Sequence, residues 1–195
     1  MVMGYHLIWT AYGWWLPNDP RGSMSQDIRV ERIAELGEAH YGRKAVQPSR
    51  AELREFFTAA HDVLKHEPKT FTNDDIRFVG ECLGELVRER EYTCYACAVM
   101  PDHIHMLIRR HRDNSETMLE IFQKSTRENL IASERRGPTH PVWGGSGWKV
   151  FLSSRERMEQ VVEYIWKNPI KQKMPPQEWA FVTPYDGWIP GYRGG

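Results

Sequence analysis

Cysteine is scarce in this chain: three in 195 residues. An odd and small set excludes a disulfide framework and fits a reducing compartment. Net charge is also missing, since 26 Lys and Arg balance 26 Asp and Glu. The molecule as a whole therefore gives no electrostatic argument for nucleic acid. No apolar run is long enough to cross a bilayer. The N-terminus lacks a signal-peptide layout, because Tyr5 to Trp9 leads straight into a folded-looking pattern. A cytoplasmic protein with no membrane association is expected. There is no internal repeat, and the length fits a single domain, 1–195, able to bury a core without staples.

What is present in quantity is tryptophan, eight residues. Charge is also unevenly placed. Residues 1–100 carry 12 basic and 15 acidic side chains, and residues 101–195 carry 14 and 11. The positive excess falls on the second half.

Tyr5 to Tyr12, rich in aromatic and β-branched residues, reads as a first strand buried on both faces. An ordered loop follows, Trp14 to Ser23, punctuated by Pro, Asn, Asp and Gly. Trp14, Trp15 and Arg21 either stack on unpaired bases or plug the end of the core. Two helical patterns, 27–40 and 49–65, flank a basic loop, and 24–72 looks like a helical insertion. Ser49 with Glu52 makes a capping box for the second helix. Thr72 or Asn73 caps a helix to about Arg90 with one apolar face. Strands over 92–100 and 103–110 form a hairpin, and Arg109 to Arg112 ends it with a basic cluster. A helix over 115–133, a flexible Gly-rich loop, a strand over 148–152 and a last helix complete the pattern. That helix, capped by Ser153 or Ser154, is expected to stop near Lys167 because Pro169 disfavours helical geometry at Asn168. An irregular tail, 170–195, closes the chain. The order predicts an α+β fold of the ferredoxin-like split βαβ type: a four-stranded antiparallel sheet, helices on one face, and an added C-terminal helix.

The centre of the chain is Met100 to Ile108, a strand with two histidines flanking Ile104. Alternation puts His103 and His105 on one face. Two imidazoles inside an apolar segment need partners. Cys94 and Cys97 are not among them: an odd spacing in one strand puts them on opposite faces, which excludes a Cys2His2 zinc site. On the last helix Tyr164 and Asn168 are four apart and share a face. Two imidazole nitrogens and an amide oxygen suit Mg²⁺ or Mn²⁺ with open positions.

Taken together, Tyr5 to Thr10, Trp15 to Gly22, Met100 to Ile108 and Tyr164 to Lys171 resemble, in order, the HUH single-strand endonucleases. Within these the chain is similar to the REP-associated tyrosine transposases. The resemblance implies that His103, His105 and Asn168 hold the metal and that Tyr164 is the nucleophile. It implies cleavage and rejoining of single-stranded DNA near a hairpin, such as a REP element, through a 5′-phosphotyrosine intermediate, as in transposition. Trp14, Trp15, Arg21, Arg109, Lys167 and Lys171 are the expected DNA contacts, in a monomer or homodimer. The alternative is a hairpin or single-stranded nucleic-acid-binding protein of the same fold that has lost cleavage. A zinc hydrolase is disfavoured by the lack of a third strong ligand and of a general base.

Overall fold

The computed structural model describes residues 1–23, 28 and 31–191. Strands β1 (Gly4–Thr10), β2 (Cys94–Val99), β3 (His103–Arg109) and β4 (Trp148–Leu152) form one sheet in the order β2-β3-β1-β4. Every neighbouring pair is antiparallel. This is the split βαβ order expected from the sequence. The helices are α1 (Glu31–Ala34), α2 (Arg50–Val63), α3 (Asn73–Glu89), α4 (Ser115–Ala132) and α5 (Arg155–Lys171).

Alternation assigns the two faces. Leu7, Trp9, Ile104, Met106 and Ile108 join residues of α3 and α4, such as Leu83 and Phe122, in the main apolar core. The other face carries His6, His103 and His105, and Leu107 there packs with Met158 and Ile165 of α5. Thus α3 and α4 cover one face and α5 the other.

The expectation for the two cysteines fails on one local irregularity. The β2–β3 register shifts between Cys94 and Ala96, so Cys94 lies opposite Ile108 and Cys97 opposite Met106. The extra residue of this bulge restores the phase, and both thiols face the main core. The zinc site remains excluded, now because the cysteines and histidines occupy opposite faces of the sheet.

Helix extents also differ. The expected helix over 27–40 is limited to Glu31–Ala34, and residues 27, 29 and 30 lie outside the described set. Helix α4 starts at Ser115 as expected, with Asn114 capping it through its side chain. Helix α5 runs through Pro169 to Lys171. Proline lacks the N–H that would bond to the Ile165 carbonyl, but it stands only two residues from the helix end. Ile165, Asn168 and Pro169 are all buried, so packing of the last turn offsets the lost bond. The capping boxes of α2 and α3, by Ser49 with Glu52 and Thr72 with Asp75, form as the sequence indicates.

The loop after β1 is fastened to residues 40–44. Ser23 N–H donates to the His40 carbonyl, and Gly42 N–H to that of Ser23. A side chain at Gly22, whose φ is +98°, would collide with the Gly42 carbonyl. A small apolar cluster of Leu16, Ile33 and Ala60 joins this loop to α1 and α2. The tail has no regular structure, yet it is docked. Gln177 exchanges two hydrogen bonds with the Val99 backbone, and Thr183 N–H donates to the Cys94 carbonyl. Trp179 and Phe181 sit over Gly80 and Gly84 of α3, while Tyr185 packs on Tyr95. No described helix is long and apolar enough to cross a membrane.

Candidate active site

β1 and β3 lie side by side, with Ile8 opposite His105 and Thr10 opposite His103. This register brings three imidazoles together on the α5 side. His103 Nδ1 is 2.6 Å from Asp102 Oδ1, and His105 Nδ1 is 2.9 Å from His6 Nε2. The imidazole pair thus has the partners that a buried polar group requires.

Helix α5 lays Tyr164 across the same face. Its ring centroid is 5.5 Å from that of His105 and 6.1 Å from that of His6, close to perpendicular to the first. Tyr164 is 44% exposed, so a second reactant has access to it. One turn later Asn168 is buried, and its Nδ2 has no hydrogen-bond partner. Tyr164, Asn168 and all three histidines line one groove of about 840 Å³. The site is assembled within a single chain.

Burial and charge set the protonation states. Desolvation lowers His6 to about 4. His105 is pushed well below the usual imidazole range, first by burial and then by the neighbouring His103 and His6. Both rings are therefore neutral near pH 7. Burial opposes ionisation of Asp102, but the hydrogen bond and charge of His103, a backbone bond and the charge of Arg21 outweigh it. Its carboxyl is held below its ordinary value.

Of the residues expected to contact DNA, Trp15 and Arg21 line the groove. Arg21 is not a free cation there. It forms a paired contact with the fully buried Asp19 and lies 3.9 Å over the Trp15 ring. Lys171 Nζ stands 5.0 Å from the Tyr164 ring centroid. Three others are placed elsewhere. The Trp14 indole donates to the Lys69 carbonyl and packs on Phe57. Arg109 stacks at 3.7 Å on Trp188, and Lys167 pairs with Glu163.

Several groove residues escaped the sequence reading: His6, Asp102, Arg43, Gln47, the Gly144–Gly147 loop and Arg157. A signal for His6 was present. In a split βαβ sheet β1 neighbours β3, and His6 falls on the face opposite Tyr5, Leu7 and Trp9. Reading β1 only as a strand buried on both faces concealed it. Asp102 lies in the short link between the two hairpin strands, where no role was assigned to it.

The family model "Transposase IS200 like" matches residues 62–168, just over half of the chain. This chain belongs to that family. The match spans the sheet from β2 to β4 and ends on Asn168, so it includes His103, His105 and Tyr164 but not β1. No curated protein matches this transposase-family chain. Two solved structures are similar to it. One is a candidate transposase from Deinococcus radiodurans R1, 13% identical, TM-score 0.42, covering 89% of this chain and 92% of that one. The other is a REP-associated tyrosine transposase bound to a REP hairpin, 12% identical, TM-score 0.43, covering 93% of this chain and 76% of that one. Family membership rests on the sequence match alone.

Proposed function

We propose that this transposase-family protein is a divalent-metal-dependent endonuclease that cuts and rejoins single-stranded DNA near a hairpin, with Tyr164 as nucleophile. The observation that carries this reading is the meeting of Tyr164, His103, His105 and Asn168 in one groove. The expected insertion, 24–72, then contributes Arg43 and Gln47 to the groove lining, within one domain.

The donor set fits a hard divalent ion. Among the described residues no group of three His, Cys, Asp or Glu is placed to hold a metal, so a third ligand has to be of another kind. The buried Asn168 amide, with an unpaired Nδ2, is that group. Turning the amide over exchanges its nitrogen and oxygen, which offers Oδ1 to a cation. His103 and His105 direct their Nδ1 atoms to Asp102 and His6, which leaves Nε2 of each for the ion. Imidazole nitrogens with an amide oxygen and open positions suit Mg²⁺ or Mn²⁺. When bound, such an ion polarises the scissile phosphate and stabilises its developing charge.

The chain's own part is nucleophilic. The Tyr164 oxygen attacks the phosphorus, forming a P–Oη bond as the P–O3′ bond breaks. The phenol proton is lost and the departing 3′ oxygen gains one. The 5′ phosphate remains on Tyr164, and the conserved bond energy lets a 3′ hydroxyl reverse the step without ATP. Arg43, which has no hydrogen-bond or ion-pair partner among the described residues, and Arg157 line the groove as phosphate contacts. Localisation in the cytoplasm accords with this substrate.

Incubation with a pool of single-stranded hairpin DNA and Mn²⁺ should give a covalent protein–DNA adduct, which Tyr164→Phe abolishes while hairpin binding persists. An adduct still formed by Tyr164→Phe would overturn the assignment. Hairpin binding with no adduct under any metal would favour the cleavage-inactive alternative.

A further inference from the structure

β1 places a third imidazole against the pair on β3. His6 is 6% exposed and His105 4%, and their 2.9 Å contact joins Nε2 of the first to Nδ1 of the second. The rings are tilted by 32° with centroids 5.1 Å apart. A neutral imidazole carries one N–H and one lone pair, so one ring must donate and the other accept. Were His6 the donor, His105 would hold its proton on Nε2 and offer the groove no lone pair. Were His105 the donor, its Nε2 would be bare.

We infer that His6 is a positioning residue that accepts the Nδ1 proton of His105 and thereby holds His105 in the tautomer with a bare Nε2. The choice of His105 as donor rests on the reading proposed above, in which its Nε2 has to be bare; the contact between the two rings does not. Asp102 does the matching work at His103, since an ionised carboxylate can only accept. One sheet thus supplies an acceptor to each imidazole, from the turn before β3 for the first and from the neighbouring strand for the second. His6 suits the role by place: β1 sets it on the same sheet face as His105 and within hydrogen-bond reach of it. It is a partner and not a ligand: its Nε2 is spent on His105, and the three histidines do not form a metal-holding group. Partners of this kind orient metal-binding histidines, and their loss typically weakens binding about 10–100-fold.

The test uses the intact protein near pH 7. Long-range ¹H–¹⁵N NMR of the metal-free wild type should find the His105 proton on Nδ1. In His6→Leu it should move to Nε2, and in His6→Gln, whose amide oxygen can accept, it should stay. Mn²⁺ affinity measured by calorimetry should fall about 10–100-fold in His6→Leu and recover to within about threefold of wild type in His6→Gln. A wild-type His105 protonated on Nε2 overturns the inference, whatever the variants do. So does His6→Leu with an unchanged tautomer and unchanged affinity. Wild-type Mn²⁺ affinity left intact by His103→Ala would instead sink the metal reading, with the tautomer measurement still deciding the role of His6.

Discussion

Ile104 and its two neighbours occupy consecutive positions of β3 and are all buried, yet for opposite reasons. Ile104 points into an apolar core with Trp9, Leu83 and Phe122, where shape and volume decide stability. His103 and His105 point to the α5 side, where the Nδ1 of each ring is matched to a specific partner. Burial alone does not separate the two faces. One tolerates change of chemistry least through lost packing, the other through a lost donor or acceptor.

The largest effect should come from emptying the polar face. Replacing His103 and His105 together by alanine should abolish hairpin cleavage, and EDTA should do the same to wild type, with Mg²⁺ or Mn²⁺ restoring it. The variant should still melt cooperatively in a calorimeter. Full cleavage by the double variant would make the histidines structural and erase the contrast.

The converse change is Ile104→Ala, one position away. It should cost about 2–5 kcal/mol in urea unfolding, while the residual folded protein keeps its metal affinity. A loss below about 1 kcal/mol would mean that this face is not the one that holds the fold.

Acid should act on the polar face specifically. His6 and His105 have folded-state values depressed by burial. The unfolded chain therefore takes up protons first as pH drops below about 6.5. Stability is complete above that value and declines towards about 4, the value for His6. The His6 share is roughly 3 kcal/mol. Urea midpoints between pH 7 and 4.5 should show this decline, and His6→Leu should flatten it. Equal slopes in the two proteins would refute the assignment to His6.

The smallest effect expected is that of Asn168→Ala. Water can replace an amide oxygen on a hard cation, so Mn²⁺ affinity and cleavage should fall by about tenfold, roughly 1.4 kcal/mol. Calorimetry and a nicking assay on the same preparation would measure both. A loss as complete as that of the double histidine variant would give Asn168 a greater role than that of a replaceable ligand.

Element order, sheet topology and most caps were legible in the sequence because they depend on local signals: period-two alternation at 103–108, and Ser49, Thr72 and Ser154 at helix starts. The pairing of His103 and His105 with Tyr164 and Asn168 was legible from spacing and from the family resemblance. What was hidden depends on tertiary context. The β2 bulge reverses the phase of Cys94 relative to Cys97 through a register shift that no residue type announces. The α5 continuation past Pro169 is sustained by burial of its final turn. Arg21, an expected DNA contact, is paired with Asp19, two residues back in sequence and fully buried in the fold.

The tail gives β2 something that its own sequence lacks. Cys94–Val99 contains no charged residue or proline and lies at the rim of the sheet. Such a rim is a template on which a strand from another molecule can add. Gln177 occupies both hydrogen-bonding groups of Val99, and Thr183 takes the Cys94 carbonyl. A stretch without helix or strand thus acts as a guard against fibre-like self-assembly. Part of the rim is occupied in this way by residues that contribute no element to the fold.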